Sequence, residues 1–240
     1  MINFSAISQD SLLGKFLRGI LKLIPKNAVL PILQGKLKGK KWIIGSGVFG
    51  YWLGTYELEK QKLFGKIVKK GDVVYDVGAH VGFYTLLAAE LVGPNGKVFA
   101  FEPLPRNIFY LKKHIKINKC NNVEIIEAAV SDKEGETNFL ESESTTSRLD
   151  QKGSLKVKTV SLDNLWREGK VLPPDLIKID VEGAELEVLK GAKDLIATKK
   201  PTIFLSVHTK DIRKKCHQFL MMNGYNLDGS TEDDLLIAKK

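Results

Sequence analysis

Asp76-Val77-Gly78-Ala79-His80-Val81-Gly82 is the stretch that decides the fold. Ahead of it, the run from Val73 reads as a short buried strand ending in Asp76-Val77-Gly78. Behind it, Gly82 to Val92 reads as a helix. Gly93-Pro94-Asn95-Gly96 breaks that helix, and Lys97 to Phe101 is a second apolar strand ending at Glu102-Pro103. Pro105 to Asn118 reads as a helix and Val123 to Ala129 as a third strand. Such β-loop-α-β-α-β alternation predicts a doubly wound, mostly parallel sheet.

The rhythm lapses and then returns. Thr137 to Glu141 and Leu155 to Val160 read as exposed strands around a Ser/Thr-rich loop, Ser142 to Arg148. Over a polar pocket, Thr146, Ser147 and Arg148 would contact substrate; otherwise the stretch is a solvated linker. Leu176 to Ile179, the helix after Gly183 and Thr202 to Val207 resume the α/β pattern. Ile212 to Asn223 reads as a helix. Tyr225 to Leu227 and Leu235 to Ala238 read as a closing hairpin at an antiparallel edge. Upstream, Leu37 to Leu53 reads as two short strands around Gly45-Ser46-Gly47, and Glu57 to Lys69 as a helix.

The chain has 240 residues, with 37 Lys/Arg against 28 Asp/Glu, so 37 − 28 = +9. With 43% apolar and 27% charged residues it is neither a disordered tail nor a disulfide miniprotein. Cys120 and Cys216 lie far apart and form no metal pair or framework, which suits a reducing, cytoplasmic setting. Residues 1–70 hold 13 basic and 3 acidic residues, or +10, and residues 71–240 hold 24 and 25, or −1. A basic extension therefore precedes a balanced body, and the boundary is set at 70/71. This balance argues against a nucleic-acid partner.

Within the extension, Leu12, Leu13, Phe16, Leu17, Ile20, Leu21 and Ile24 recur at helical spacing, opposite Lys15, Arg18 and Lys22. Ser11 can cap this helix and Pro25 ends it. It is too short and too charged to span a bilayer. It reads as a helix docked on its own domain, or, with Lys36, Lys38, Lys40 and Lys41, as peripheral membrane contact through residues 11–41.

The loop after Val77 lies where parallel folds bind ligands, beyond the carboxyl ends of the strands. Gly78 admits close backbone approach. Glu102, ending the next strand, can accept both hydroxyls of a ribose. A dinucleotide fingerprint needs a glycine where His80 stands. The Asp76 carboxylate repels phosphates and suits an ammonium or a sulfonium. S-adenosylmethionine carries both. His80 reads as a loop-ordering residue with imidazole chemistry as the alternative. Tyr84 and Thr85 line the pocket or pack beneath the sheet.

Asp180, Glu182 and Glu185 follow the fourth parallel strand, and His208 follows the next. Adjacent strand ends would bring them together, so Asp180, Glu182 and His208 are the catalytic candidates, taking a hydroxyl proton or orienting an acceptor. Asp180 could instead cap a helix, and Glu185 could be a first-turn charge. The same three residues have oxygen and nitrogen atoms suited to a divalent ion, but no spacing rule calls for one and no metal is assigned.

Asp76 to Ala88 (DVGAHVGFYTLLA), Phe101-Glu102-Pro103, Ala129-Val130-Ser131-Asp132, Ser161-Leu162-Asp163 and Ile177 to Glu185 (IKIDVEGAE) occur in this order. Together they resemble the FkbM family of S-adenosylmethionine-dependent methyltransferases, over about residues 52–210. Gly54-Thr55-Tyr56-Glu57 resembles a segment preceding the first motif of that family. The resemblance implies a class I methyltransferase fold, Rossmann-like, with the hairpin at its C-terminal edge. It implies that Asp76 and Gly78 hold the methionine part and Glu102 the ribose. Pro103 and Val130 would pack the adenine faces, and Asp132 would accept from its amine. It further implies O-methylation of a small-molecule or glycan acceptor. A nicotinamide-dependent oxidoreductase, a binding module without turnover and a nucleic-acid methyltransferase are the rival readings. His80 and the acids after Ile179 speak against the first. Intact acids at both strand ends speak against the second. The neutral body and the absence of an Asn-Pro-Pro-Tyr-type motif speak against the third.

Overall fold

The computed structural model describes residues 19, 21, 23–140, 148–149, 155–228 and 234–239. Thirteen strands occur among them. β1 (Val29–Pro31) and β2 (Lys41–Ile43) lie in the basic extension. β3 (Val73–Val77), β4 (Lys97–Phe101) and β5 (Val123–Ile126) follow, then β6 (Ala129–Val130), β7 (Gly135–Leu140), β8 (Arg148–Leu149) and β9 (Leu155–Val160). The last are β10 (Leu176–Ile179), β11 (Thr202–Ser206), β12 (Asn226–Asp228) and β13 (Leu235–Lys239).

Seven strands form the central sheet in the order β12-β13-β11-β10-β3-β4-β5. β13 alone runs against its neighbours; the other pairings are parallel. The chain steps outward from β3 to β5 and returns on the other side of β3 as β10. The crevice between the ends of β3 and β10 is therefore the topological switch point, the ligand position of such folds. Successive residues of a strand face opposite sides. Val74 joins one core cluster with Leu87, Phe204 and Trp42, while Tyr75 joins another with Phe101, Ile177 and Leu205. Both faces are thus covered, as a parallel sheet requires.

Three sequence expectations are corrected. Leu37 to Leu53 is not a strand pair. β2 pairs antiparallel with β1, and a 3₁₀ turn (Ile44–Ser46) and a short helix (Phe49–Leu53) follow. Gly45 and Gly47 lie in and just after the 3₁₀ turn, and Gly54, in the left-handed region, closes the short helix. The run Val123 to Ala129 is two strands. The Ala128 N–H turns back to the Ile126 carbonyl, and β6 leaves the main sheet for a small one ordered β6-β9-β7-β8. Leu155 to Val160 is not simply exposed, because Val157, Thr159 and Val160 are buried. The closing hairpin is as expected. The amphipathic stretch 11–24 lies mostly outside the described residues, as do Thr146 and Ser147.

The extension and the sheet share one core. Trp42, fully buried, stacks on His114 with ring centroids 3.8 Å apart. His114 sits in the helix Pro105–Ile117 and holds two distant backbone groups. Its Nδ1 lies 2.8 Å from the Val81 carbonyl, and its Nε2 accepts from the Ile43 N–H at 3.1 Å. Asn118 adds a two-way clamp, accepting from Lys41 N–H at 2.7 Å and donating to its carbonyl at 2.9 Å. This pattern needs neutral imidazole with the proton on Nδ1.

Burial lowers the His114 pKa from 6.5 to about 4. Below pH 6.5 the unfolded chain takes up the proton before the folded one does. Stability is therefore full above pH 6.5 and falls as the pH drops through about 4. The loss from His114 alone is about 3 kcal/mol. Urea denaturation at pH 7, 5.5 and 4.5 is expected to show this decline. The variant His114→Asn should be less stable at pH 7 and show a shallower decline; an unchanged slope would count against the assignment.

Candidate active site

Asp76 and Lys178 face each other across β3 and β10 as direct register partners. Both are buried. Lys178 Nζ lies 3.0 Å from Asp76 Oδ1 and 3.8 Å from Asp180 Oδ2, and it donates to the Gly78 carbonyl at 3.2 Å. Thr85 Oγ1 donates to Asp76 Oδ2 at 2.6 Å. Burial pushes the Lys178 ammonium down, but the Asp76 and Asp180 carboxylates outweigh it, and the net shift is upward. Asp76 is therefore turned into the protein, and the charge beside the crevice is a neutralised pair. A lysine inside the apolar run Leu176-Ile177-Lys178-Ile179 was the readable signal for this counter-ion.

Gly78 has a φ of +78°, and a Cβ there would stand 1.9 Å from the Asp180 carbonyl oxygen. The glycine lets the ends of β3 and β10 touch. Its N–H and that of Ala79 both donate to the Phe101 carbonyl, binding the loop to β4 as well. At Gly82, φ +95°, a Cβ would meet Leu111 at 2.5 Å, so the helix Phe83–Val92 packs tightly at its start.

Glu102 is almost wholly buried. Its Oε2 accepts from the His80 N–H at 2.7 Å, and its Oε1 from Leu104 N–H at 3.0 Å and Asn107 Nδ2 at 3.2 Å. Burial pushes its pKa up, and these three donors oppose the rise. A carboxylate accepts at about four positions, so room for a further hydroxyl remains. His80, in the left-handed region at φ +50°, is pinned by Glu102, and its Nδ1 lies 3.4 Å from the Tyr51 hydroxyl. Burial, with Arg106 and Lys178 nearby, lowers its pKa to about 4. Of the remaining cofactor candidates, Pro103 is half-buried, Val130 is buried in the core, and Asp132 is exposed and accepts from Ser131 Oγ. Tyr84 and Thr85 are buried beneath the loop.

The three catalytic candidates converge. His208 Nε2 lies 3.5 Å from Asp180 Oδ1 and 3.4 Å from Glu182 Oε2. Its Nδ1 lies 2.9 Å from Glu185 Oε1, which also accepts from the Gly183 N–H at 3.1 Å. The Glu185 hydrogen bond, opposed by burial and aided by Glu182 and Asp180, raises the His208 pKa to about 9. Burial and the neighbouring Asp180 and Glu185 push Glu182 upward, against His208. Asp180 caps no helix: the helix Glu185–Lys190 begins at Ala184 without a side-chain cap. Glu185 is the partner of His208, beyond any first-turn effect. Glu182 holds a φ of +53°, an uncommon conformation for a glutamate.

The extension also reaches the site. Lys60 Nζ bridges Glu57 at 3.0 Å and Asp234 at 2.7 Å. The Asp234 carbonyl accepts from the Val207 N–H at 2.7 Å, next to His208. Lys60 and Tyr51 carry no local signal for the site, because Asp234 and His80 lie 174 and 29 residues further along the chain.

A switch-point crevice flanked by a glycine loop and half-exposed acids, on this strand order, defines a class I methyltransferase. The pattern of the methyltransferase FkbM domain matches residues 76–226, and the chain belongs to this family. The hexuronic acid methyltransferase AglP of Haloferax volcanii is 31% identical over 152 residues, covering 61% of this chain and 62% of AglP. The match thus spans less than two thirds of that relative. The 2-O-methyltransferase NoeI of Sinorhizobium fredii is 25% identical over 180 residues, covering 66% of this chain and 72% of NoeI. Among solved structures, an FkbM methyltransferase from Methylobacillus flagellatus superposes with a TM-score of 0.50 at 17% identity, covering 80% of this chain and 53% of that one. Aeropyrum pernix fibrillarin with bound S-adenosylmethionine gives 0.52 at 16%, covering 76% and 74%.

S-adenosylmethionine is the cofactor of the family, and the residues present suit it. The Glu102 carboxylate keeps an acceptor position for a ribose hydroxyl, and Gly78 leaves the backbone of the loop free of a side chain where a ligand would lie. Removing the counter-ion with Lys178→Met should lower stability by about 3–5 kcal/mol, because it leaves Asp76 buried and unpaired. In urea denaturation the double variant Lys178→Met/Asp76→Asn should lose less than the sum of the two single variants.

Proposed function

We propose that this protein methylates a hydroxyl of a sugar or glycan, and that Asp180, Glu182 and His208 form its acceptor side. The observation that carries this reading is the meeting of those three side chains at the ends of β10 and β11, beside the cofactor crevice. Likeness to a hexuronic acid methyltransferase supports a sugar acceptor, and likeness to a 2-O-methyltransferase supports oxygen as the methylated atom. Bound S-adenosylmethionine supplies an electrophilic methyl group on a sulfonium. The acceptor oxygen would form the new C–O bond as the C–S bond breaks, and its proton would pass to one of the three side chains. Holding nucleophile and methyl in line is worth about 7–11 kcal/mol, and a positioned base adds about 10²–10⁴-fold. In this reading Glu102 holds the ribose, Pro103 and Val130 flank the adenine, Asp132 accepts from its amine, and Asp76, Gly78 and His80 shape the methionine end.

Transfer of labelled methyl to glucuronic-acid glycosides is the test. Asp180→Asn and His208→Ala should each lower kcat by about 10²-fold or more, with affinity for S-adenosylmethionine within a few-fold of wild type. Transfer only to nitrogen or carbon acceptors would overturn the oxygen reading.

The basic extension supports a lipid-proximal acceptor. Leu23, Val29 and Leu33 are exposed there beside exposed Lys26, Lys36 and Lys38. Among the described residues no helix is long and apolar enough to cross a membrane. Sedimentation with anionic liposomes should show binding that weakens with salt and disappears when residues 1–35 are deleted; binding that survives the deletion would end this idea.

A further inference from the structure

We infer that Asp180, Glu182 and His208 bind one divalent first-row cation, of the Mn²⁺ type, through two carboxylate oxygens and one imidazole nitrogen. One ligand atom from each residue lies within 4.8 Å of the other two. The measured separations from His208 Nε2 are 3.5 Å and 3.4 Å. Around an ion with bonds of about 2.1–2.4 Å, ligand atoms at right angles stand about 3.0–3.4 Å apart and opposed ones about 4.2–4.8 Å. A single ion therefore reaches all three atoms with little movement of the backbone. The side chains keep 21%, 30% and 34% of their surface exposed, so further positions stay open to an acceptor oxygen.

A second observation lies outside this trio. Histidines that bind metals usually give their other ring N–H to a carboxylate, which fixes the tautomer and aims the free lone pair. Glu185 does this for His208 at 2.9 Å. Its side chain has no solvent exposure, and its Oε2 has no hydrogen-bond partner among the described residues. A buried, under-satisfied carboxylate behind a histidine is costly to keep. A cation on the far side of that ring offsets the cost by polarising the N–H toward Glu185. The local charge points the same way: the Asp180, Glu182 and Glu185 carboxylates meet here, and Lys178 Nζ is nearer to Asp76. The donor set of one nitrogen and two oxygens suits Mn²⁺ or Zn²⁺.

For the reaction, this inference rests on the acceptor reading given above. The ion would hold the acceptor hydroxyl oxygen and make its proton easier to lose, and that proton would pass to the Glu182 carboxylate oxygen not used as a ligand. Binding itself is independent of that reading and is measured first. Chelator-treated full-length protein is titrated with Mn²⁺, followed by electron paramagnetic resonance and calorimetry, and separately with Zn²⁺. S-adenosylmethionine binding is recorded on the same samples.

One ion per chain is expected. Binding should be lost in His208→Ala and Asp180→Asn, and weakened about 10–100-fold in Glu185→Gln. Retained affinity for S-adenosylmethionine shows that a variant is folded, and Glu182→Gln serves if His208→Ala fails that check. Absence of binding by either metal, or binding undiminished in the folded ligand variants, overturns the inference. A chain that binds Mn²⁺ but methylates no hydroxyl keeps the metal site and loses the acceptor reading. A chain that methylates hydroxyls but binds neither metal does the reverse.

Discussion

The buried ion pair between Asp76 and Lys178 is the constraint on which the rest of the site depends. The two residues are register partners on β3 and β10, the strands that flank the switch point. Each charge would be prohibitive there alone, since a lone buried ion costs several kcal/mol. Together with Thr85 and the Gly78 carbonyl they form a compact, charge-balanced polar knot in an apolar sheet. The knot sets the spacing of the two strand ends. It thereby sets where the glycine loop leaves β3 and where Asp180 leaves β10. The near contact of Gly78 with the Asp180 carbonyl tolerates no other side chain at position 78.

From that knot, order spreads in two directions. Toward β4, Glu102 spends its hydrogen bonds on His80, Leu104 and Asn107, so the loop is shaped by its own acidic neighbour. Toward β11, Glu185 fixes His208, which faces Asp180 and Glu182. The crevice thus has one side built from buried, charge-balanced groups and another where half-exposed carboxylates meet an imidazole. The first side suits holding a cofactor in place, and the second suits chemistry on an incoming oxygen.

The basic extension belongs to this arrangement mechanically. Trp42 and His114 tie it to the helix after β4, and Lys60 ties it to Asp234 beside the strand end that carries His208. A segment with no motif beyond Gly54-Thr55-Tyr56-Glu57 therefore helps form the core of the sheet's outer face. Its role was hard to read because Ile43 meets His114, 71 residues on, and Lys60 meets Asp234, 174 residues on. No local periodicity reports such contacts.

The sequence alone determined the α/β order, the switch-point loop, the hairpin edge and the grouping of Asp180, Glu182 and His208. These follow from local apolar periodicity, glycine placement and the parallel geometry that sends alternate loops to one end of a sheet. It misjudged Leu37 to Leu53, where the strand partner lay upstream in Val29–Pro31, and it merged β5 with β6, where one turn diverts the chain to another sheet. Only the tertiary structure decided that Asp76 faces Lys178 rather than open solvent, that Glu102 is occupied by the loop it borders, and that Glu185 stands behind His208. The physical reason is the same each time. Periodicity gives the face on which a side chain sits, but the partner that balances a buried charge is chosen by register and by packing between strands distant in sequence.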